Sequence, residues 1–421
     1  MKNYLANLNL LAVSANAKET AINTEQTLDT AMLVAQGTIM SLEARRESNK
    51  DEITGLEEAD TIYDLGNLSN ASLSFEKAQA QHFGFGYAFA LGSSSPAAYG
   101  TGYKHTIVPT ADISLPSFTA AQRLGQTIMK RRFASMFVDQ LTATFARDSW
   151  AKLSLSCKGT GKFTDNMFKE EVTAAYNATT LTLAANGVEG STAAVRLDNV
   201  HQVRCLVPAT GEYVDVEVTA VSGATPAVLT FTAPGGAATS TTYEILYTPT
   251  EAGWMTFPSR VVEPPLRVTD LTVTFGGKWS GTAFLGGRTL SQEIESIEHT
   301  INNNMQIEYR PGGTGSYASY AFRQGREQTL KLSRQMRDYI LQQRIISNET
   351  FGVKLKATGA EFETGKNYDV DIVFPKCAVL SAPISVNGKT LAEAGDLTVL
   401  QDATYGSVIV VVANKVTAYA A

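Results

Sequence analysis

The chain has 421 residues, of which 44% are hydrophobic and 18% charged, and this length predicts two or three packed units. Its 35 basic and 41 acidic side chains give a net charge of -6, which argues against affinity for nucleic acid because such binding needs clustered lysine and arginine. No apolar run approaches the roughly 18 residues of a membrane helix, so we expect no membrane insertion.

Residues 1–36 are predicted to form an N-terminal arm that docks on a neighbouring subunit. The arm alternates short apolar and polar runs, and Ala15-Asn-Ala17 resembles the cleavage site of a secretion signal. The apolar part that precedes this motif is interrupted by Asn3, Asn7 and Asn9. We therefore do not expect secretion.

Residues 37–173 are interpreted as the first part of a main β-domain. Within 75–91, Phe83, Tyr87 and Leu91 lie four residues apart, and Gly92 stands where a helix C-cap is expected. This spacing predicts a short helix that covers one end of a sheet. Alternating apolar residues predict strands over 133–145 and 150–157.

Residues 174–250 are predicted to form a small inserted β-domain. Their composition shifts to Ala, Thr, Val and Gly, and short strand patterns are separated by Gly, Pro and Ser. The predicted strands are 195–197, 200–207, 213–218, 228–231 and 243–247. An independent module inserted into a subunit disturbs packing least if it projects outwards.

Residues 251–421 are interpreted as the second part of the main domain. Leu271, Val273 and Phe275 alternate with threonines, which is the period of a strand with two unlike faces. The same alternation recurs around 297–301 and in two runs joined by a turn at 363–366. One helix interrupts the pattern, with Ser333 as its cap and Ser347-Asn348 as its end.

The chain carries no convincing catalytic or metal-binding pattern, so we expect neither an enzyme nor a cofactor. His82, His105, His201 and His299 are not paired at metal-ligand spacing and are interpreted as surface or interface side chains. Glu293 with Glu295, and Asp369 with Asp371, are interpreted as solvated or lumen-facing rows. The odd, widely spaced cysteines fit a reducing compartment: Cys157, Cys205 and Cys377.

An ordered series of segments resembles the tail tube, or major tail, proteins of tailed bacteriophages. The series is Phe275-Gly-Gly-Lys-Trp279, a long hairpin, Asn302-Asn-Asn304, a glycine-rich tip, Arg326-x-x-x-Leu330-x-Leu332-Ser333, a helix and paired strands. The endings Phe374-Pro-Lys376, Ala382-Pro-Ile-Ser385 and Gly395-Asp-Leu-Thr-Val-Leu400 are also similar. The resemblance extends over about 267–421, is weaker over 17–162, and is absent between them.

This resemblance implies a mainly β chain with a tail-tube-like β-sandwich or barrel, one flanking α-helix and the inserted β-domain. Tail tube subunits form rings, six-fold in the family, that stack around a channel through which the genome is ejected. The implied partners are further copies of the chain, the tape measure, terminator and distal tail proteins, and double-stranded DNA in transit without specific binding. The implied location is the virion tail, assembled in the host cytoplasm, and we expect a long non-contractile, siphovirus-type tail because an outward domain would obstruct a sheath.

Three segments are candidates for the wall of the tube: 270–275, 293–309 and 320–332. Surplus carboxylates favour sliding of DNA, because each Lys or Arg contact to phosphate adds affinity. The candidate channel-lining residues are Glu293, Glu295, Glu298 and Glu308. The candidate loop for contact between rings runs from Arg310 through Gly312, Gly313 and Gly315.

Two other classes of protein remain open from the sequence. One is a different virion β-protein, such as a tail terminator, a baseplate component or a capsid component. The other is a carbohydrate-binding β-protein that uses residues 174–249 as its binding module. Stacking of rings separates a tube subunit from the first class, and a glycan-binding screen separates it from the second.

Overall fold

The structure is a computed structural model of the chain, and it describes residues 5, 8–125, 129–250, 256–290, 292–313 and 315–420. The protein is mainly β, with 54% of residues in strands and 7% in helices. This confirms the predicted fold class at that level. A large antiparallel sheet and smaller sheets are present, and no closed barrel forms among the described residues.

The strands of the described chain, in chain order, are β1 (Leu10–Val13), β2 (Thr30–Met32), β3 (Met40–Ser48), β4 (Ile62–Phe75), β5 (Gly92–Tyr99), β6 (Gly102–Pro109), β7 (Phe118–Leu124), β8 (Met129–Ala146), β9 (Lys152–Gly159), β10 (Phe163–Asp165), β11 (Phe168–Ala175), β12 (Thr180–Thr182), β13 (Val200–Leu206), β14 (Tyr213–Asp215), β15 (Val218–Val221), β16 (Val228–Phe231), β17 (Ser240–Tyr247), β18 (Leu271–Trp279), β19 (Phe284–Leu285), β20 (Arg288–Thr289), β21 (Ile294–Asn302), β22 (Met305–Glu308), β23 (Tyr320–Arg323), β24 (Glu327–Gln335), β25 (Phe351–Glu363), β26 (Lys366–Ser381), β27 (Ile384–Asn387), β28 (Thr390–Val399) and β29 (Ile409–Asn414). The helices are α1 (Ala80–Leu91), α2 (Ala193–Asp198) and α3 (Ile340–Ser347), and a 3-10 turn covers Val268–Asp270.

The chain divides into two compact units. Unit 1 comprises 1–10, 122–132 and 164–256, and unit 2 comprises 11–121, 133–163 and 257–421. In unit 1, strands β11, β17, β13 and β14 form one antiparallel sheet, and β12, β16 and β15 form another. Unit 1 has its own apolar core, which includes Leu229, Tyr243 and Ile245.

One prediction for unit 1 was wrong. Residues 195–197, predicted as a strand, lie in the short helix α2, whose first turn is capped by Thr192: its side chain accepts a hydrogen bond from the Val195 amide at 3.3 Å. The predicted strand 213–218 is divided into β14 and β15.

Unit 2 contains two layers of antiparallel strands. In the first layer, β3, β4, β9, β8, β21, β24, β28 and β27 lie side by side in that order. In the second layer the order is β20, β18, β25, β26, β29, β6 and β5. The far end of β26 also pairs with β28, so this strand joins the two layers.

Helix α1 forms the centre of unit 2, because every one of its residues is buried. Phe83 stacks on Phe145 of the first layer, and the helix also contacts β6 and β29 of the second layer. Its end at Gly92, in the left-handed conformation, confirms the predicted C-cap. The prediction that this helix covers one end of a sheet was wrong: it is enclosed rather than flanking.

Helix α3 begins later than the sequence predicted. Ser333 and Arg334 lie in β24, and the helix starts at Ile340. The predicted end at Ser347-Asn348 is confirmed by the left-handed conformation of Asn348. The spacing that suggested an earlier start, including Met336, belongs to the end of a strand and a connecting turn.

Residues 11–36 of the predicted N-terminal arm contact their own chain. Strand β1 pairs with β2, and Asp29 accepts hydrogen bonds from the amides of Ala15 and Asn16, each at 2.9 Å. Buried Glu19 accepts hydrogen bonds from Ser117, Thr119 and Ser135.

Among the described helices, none has the length and apolar character required to cross a membrane.

Candidate functional site: the polar face of the first layer

The strands of the first layer have one apolar and one polar face. On β21, Ile297, His299 and Ile301 are buried, whereas Glu298 and Thr300 between them are partly exposed. The same two-residue alternation occurs on β9, β24 and the second half of β8. Because successive side chains of a strand point to opposite faces, these strands together present a continuous polar surface.

A row of hydroxyl side chains crosses six strands of this surface. Thr300 of β21 lies opposite Thr142 of β8, and the two hydroxyl oxygens are 3.3 Å apart. Each remaining member lies opposite its neighbour on the next strand. From β4 to β28, the hydroxyl row is Ser74, Ser154, Thr142, Thr300, Thr329 and Thr398.

A second row, parallel to the first, carries charges of alternating sign on each side of the uncharged Thr144. Glu298 of β21 lies opposite Lys331 of β24, which in turn lies opposite Asp396 of β28. At the other end of the row, Lys152 and Glu76 form an ion pair at 2.5 Å. Each lysine of this charged row therefore has a carboxylate beside it, which weakens its attraction for a polyanion.

The apolar side of these strands packs on α1. The Tyr87 hydroxyl lies 2.8 Å from Nδ1 of His299, and the two rings stack with centroids 5.8 Å apart. Gly86 approaches Leu141 and Leu155 so closely that an added Cβ would lie 3.1–3.2 Å from their methyl groups. This packing fixes the position of the strands and leaves only their polar side for contact with another molecule.

The edges of the first layer lie elsewhere than the sequence predicted. The wall segments at 293–309 and 320–332 were expected to have unpaired edges, but β21 and β24 each have a partner strand on both sides. Each segment is also divided into two strands, and β22 pairs with β23 in a separate hairpin. The third wall segment forms β18, in the second layer.

The outer strands of the first layer are β3 and β27. In the described part of the chain, β3 pairs with β4, and β27 pairs with β28. All four residues of β27 are exposed, including Ile384 and Val386. An edge strand with exposed apolar side chains favours pairing with another chain.

Glu293 lies in a buried ion network and not on the polar face. The residue is 8% exposed, and its carboxylate contacts Arg334 at 3.1 Å and Arg288 at 2.9 Å. Arg334, which is fully buried, also contacts Glu393 and Asp338, each at 2.9 Å. The charge of Glu293 is therefore balanced by Arg288 and Arg334 within the chain.

The other three candidate channel-lining carboxylates do not form one group. Glu298 is on the polar face, and Glu295 lies at the end of the same strand, 3.4 Å from Arg147. Glu308 lies on the separate β22–β23 hairpin and pairs with Arg310 at 3.0 Å. Of these carboxylates, Glu298 lies two residues from Thr300 of the hydroxyl row, whose threonines the sequence reading did not select.

The candidate contact loop is the turn of the β22–β23 hairpin. Arg310 lies over the ring of Tyr320, 3.4 Å from its centroid, and Gly312 and Gly315 have positive φ angles of 85° and 99°. The amide of Gly313 donates a hydrogen bond to the Arg310 carbonyl, which closes the turn. The four predicted loop residues therefore do belong to one local turn.

The histidines are less exposed than the sequence reading expected. His82, His105 and His299 are buried, so their interpretation as surface or interface side chains was wrong. Burial lowers the pKa of His299 to about 4 and that of His82 to about 3. Within the described residues, no group of three or more His, Cys, Asp and Glu side chains has the arrangement of a metal site.

No protein-family model matches this chain, and the search of curated proteins finds no match either.

Proposed function

We propose that the chain is a structural subunit of a phage tail tube, in which copies form rings, six-fold as in the family it resembles, that stack around a channel for DNA. The observation that carries this proposal is the first layer of unit 2. It combines a hydroxyl-rich polar face with two outer strands: β3, which pairs with β4, and β27, which pairs with β28.

Closure between copies gives these outer strands a partner. An open sheet leaves rows of unpaired N–H and C=O groups at its edges, and joining neighbouring sheets into a ring removes them. The exposed apolar side chains of Ile384 and Val386 on β27 would be covered by the same contact. A ring of this kind places the polar faces of all copies on one continuous surface.

The chemistry of the polar face suits a surface along which DNA slides. Hydroxyl groups form weak, exchangeable contacts with water and phosphate, and the lysines of the charged row are next to carboxylates. Net binding of DNA needs cations that release counterions from phosphates, and the polar face offers few. We therefore propose passage of DNA without specific binding, and no catalytic activity.

Electron microscopy tests this proposal. The purified protein at high concentration, or the native particle, is expected to show stacked rings with a central channel. The variant Val386→Lys places a charge on the β27 edge and is expected to prevent ring formation while leaving the thermal unfolding of the subunit unchanged.

The matched control is Ile113→Lys, which places the same charge on an exposed apolar residue of the connection between β6 and β7. This variant is expected to assemble like the unmodified protein. A compact monomer at all concentrations, or a single ring that never stacks, would overturn the proposal in favour of another virion protein.

A further inference from the structure

The hairpin formed by β3 and β4 extends beyond the first layer as a free-standing ribbon. Strand β4 pairs with β9 only over residues 69–75, and the exposed residues 62–65 lie beside β3 alone. Four residues of strand correspond to about 13 Å of extension. The ribbon is exposed on both sides, and a two-stranded hairpin with no covered face is marginally stable in water.

The turn of this hairpin, residues 49–61, has a defined shape without a core of its own. The Asn49 side chain donates a hydrogen bond to Asp60 at 2.6 Å, and its oxygen accepts from the amides of Asp60 and Thr61. Tyr63 donates a hydrogen bond to Glu52 at 2.7 Å. These polar contacts hold the base of the turn together while its apolar side chains point into solvent.

We call residues 49–61 the hairpin tip. Ile53 is fully exposed and Leu56 is 62% exposed, and Ile62 and Leu65 on the adjoining ribbon are also exposed. Such a concentration of exposed apolar side chains marks an interaction surface. The hairpin tip is also acidic, because one lysine stands against five carboxylates: Lys50 against Asp51, Glu52, Glu57, Glu58 and Asp60.

A complementary surface lies on the second layer of unit 2. Two adjoining depressions of about 700 and 480 Å³ share Trp279 and Tyr405 in their walls. We call them together the aromatic groove. Its apolar lining includes Val373 and Ile409, so it can accept aliphatic side chains.

The aromatic groove is basic. Five cationic side chains line it against two carboxylates: Lys104, Lys278, Lys354, Lys376 and Arg344 against Asp371 and Asp402. Its charge is thus opposite to that of the hairpin tip, and opposite charges on two apolar surfaces favour their association and fix its orientation.

We infer that the hairpin tip of one copy docks in the aromatic groove of a second copy, with Ile53 and Leu56 against Trp279 and Tyr405. The two surfaces share no residue, so the contact is head-to-tail and repeats from copy to copy, as a ring or a filament requires. This inference rests on the proposed self-assembly and adds to it a contact that does not use the edge strands.

Cross-linking between engineered cysteines tests the contact. The native cysteines are free and buried, so they do not compete. The double variant Leu56→Cys with Thr282→Cys, the latter an exposed residue lining the groove, is expected to give a ladder of disulfide-linked oligomers on mild oxidation. The control Leu56→Cys with Thr364→Cys, which uses the exposed turn between β25 and β26, is expected to give no ladder above background.

Charge reversal provides a second measurement. Glu57→Lys with Glu58→Lys in the hairpin tip, or Lys104→Glu with Lys278→Glu in the groove, is expected to raise the protein concentration needed for assembly at least about tenfold. The variant with all four changes is expected to recover most of the lost assembly. A merely structural effect of either pair would not be reversed by the other pair.

The outcomes separate this inference from the proposed function. Rings or tubes that form without the Leu56–Thr282 ladder, and that tolerate both charge reversals, would overturn the inference and leave the tube proposal intact. A ladder without rings would support the contact and overturn the tube. The absence of both ladder and assembly would overturn the two proposals together.

Discussion

The Tyr87 hydroxyl donates a hydrogen bond to Nδ1 of His299, 2.8 Å away, and this bond joins the central helix to the first layer. On the other side of the ring, Nε2 lies 3.3 Å from the Gln328 side-chain oxygen, while the nitrogen of that amide donates to Ser407. Because burial lowers the pKa of His299 to about 4, the ring is neutral at pH 7, and with its proton on Nε2 it donates to Gln328 and accepts from Tyr87. The polar face of β21 is thus held in place by a buried, uncharged histidine.

Acidification is expected to destabilise the protein through this histidine. The pKa of His299 is about 6.5 in the unfolded chain and about 4 in the folded protein, because burial disfavours the charged imidazole. Between these two pH values, the unfolded state therefore binds more protons than the folded state. The stability that neutral His299 contributes is fully present above pH 6.5 and is lost as the pH falls through 4. The total loss in the free energy of unfolding is about 3 kcal/mol. Buried His82 acts in the same direction.

Urea unfolding of the unmodified protein and of His299→Gln between pH 4 and 7 measures this dependence. The variant is less stable at pH 7 because the Tyr87 contact is altered, but its stability should change less with pH, by about 1.4 kcal/mol per unit. Equal pH slopes for the two proteins would contradict the prediction.

Glu263 is expected to give a pH dependence of the opposite sign. It is 2% exposed, one oxygen accepts the Gln81 amide at 2.9 Å, and burial raises its pKa to about 7. The charged and titratable groups around it are Tyr368, Tyr419 and Lys415. The stability it contributes is therefore present below pH 4.5 and is lost as the pH rises through 7.

The variant Glu263→Gln is expected to remove this loss and to be more stable than the unmodified protein at pH 8, by up to about 3 kcal/mol. The midpoint of thermal unfolding, measured at pH 5 and pH 8 for both proteins, checks it. A lower midpoint for the variant at pH 8 would show that ionised Glu263 is satisfied in the fold.

Arg334→Met is expected to destabilise unit 2 by about 3–5 kcal/mol, because it leaves buried carboxylates without their partner. Arg334 is fully buried and contacts Glu293, Glu393 and Asp338. Arg337→Met, an exposed position three residues further along the chain, is the control and is expected to change stability by less than about 0.5 kcal/mol. Urea unfolding compares the two, and similar losses would show that the ion network adds nothing specific.

Gly84→Ala is expected to destabilise the protein although alanine favours helices. A Cβ at this position in α1 would lie 2.5 Å from the ring of Tyr419, which is buried and cannot move without displacing its neighbours. We expect a loss of about 1–3 kcal/mol in the free energy of unfolding. Gly37→Ala is the control, since no atom lies within 4 Å of its added Cβ, and an equal loss there would point to backbone effects.

Thr300→Lys is expected to change the behaviour of the assembled protein towards DNA. The lysine would stand at the centre of the hydroxyl row and add a cation in every copy of a ring. Affinity for double-stranded DNA should rise about tenfold or more at low salt and fall steeply as salt increases. Thr300→Gln, which adds length without charge, is the control, and a gel-shift titration that shows no difference between the two variants would argue that this face does not meet DNA.

The sequence by itself determined the period of the strands and most of their places. Alternation within a strand depends only on neighbouring residues, and this is why Ile297, His299 and Ile301 were correctly placed on one face. The ends of α1 at Gly92 and of α3 at Asn348, where the backbone is left-handed, were also predicted from neighbouring residues alone. The predicted mainly β class followed from these patterns.

The tertiary structure decided which strands are neighbours and which polar residues are buried. Thr142, Thr300 and Thr398 are far apart in the sequence, and only the register of four paired strands aligns them. In the sequence, Glu293 and Arg334 resemble ordinary surface residues. Their burial could not be predicted, because burial of a charge depends on partners that other elements of the fold supply. The edges of the sheet depend on the same long-range pairing. The sequence placed these edges within 293–332, whereas the outer strands of the first layer in the structure are β3 and β27.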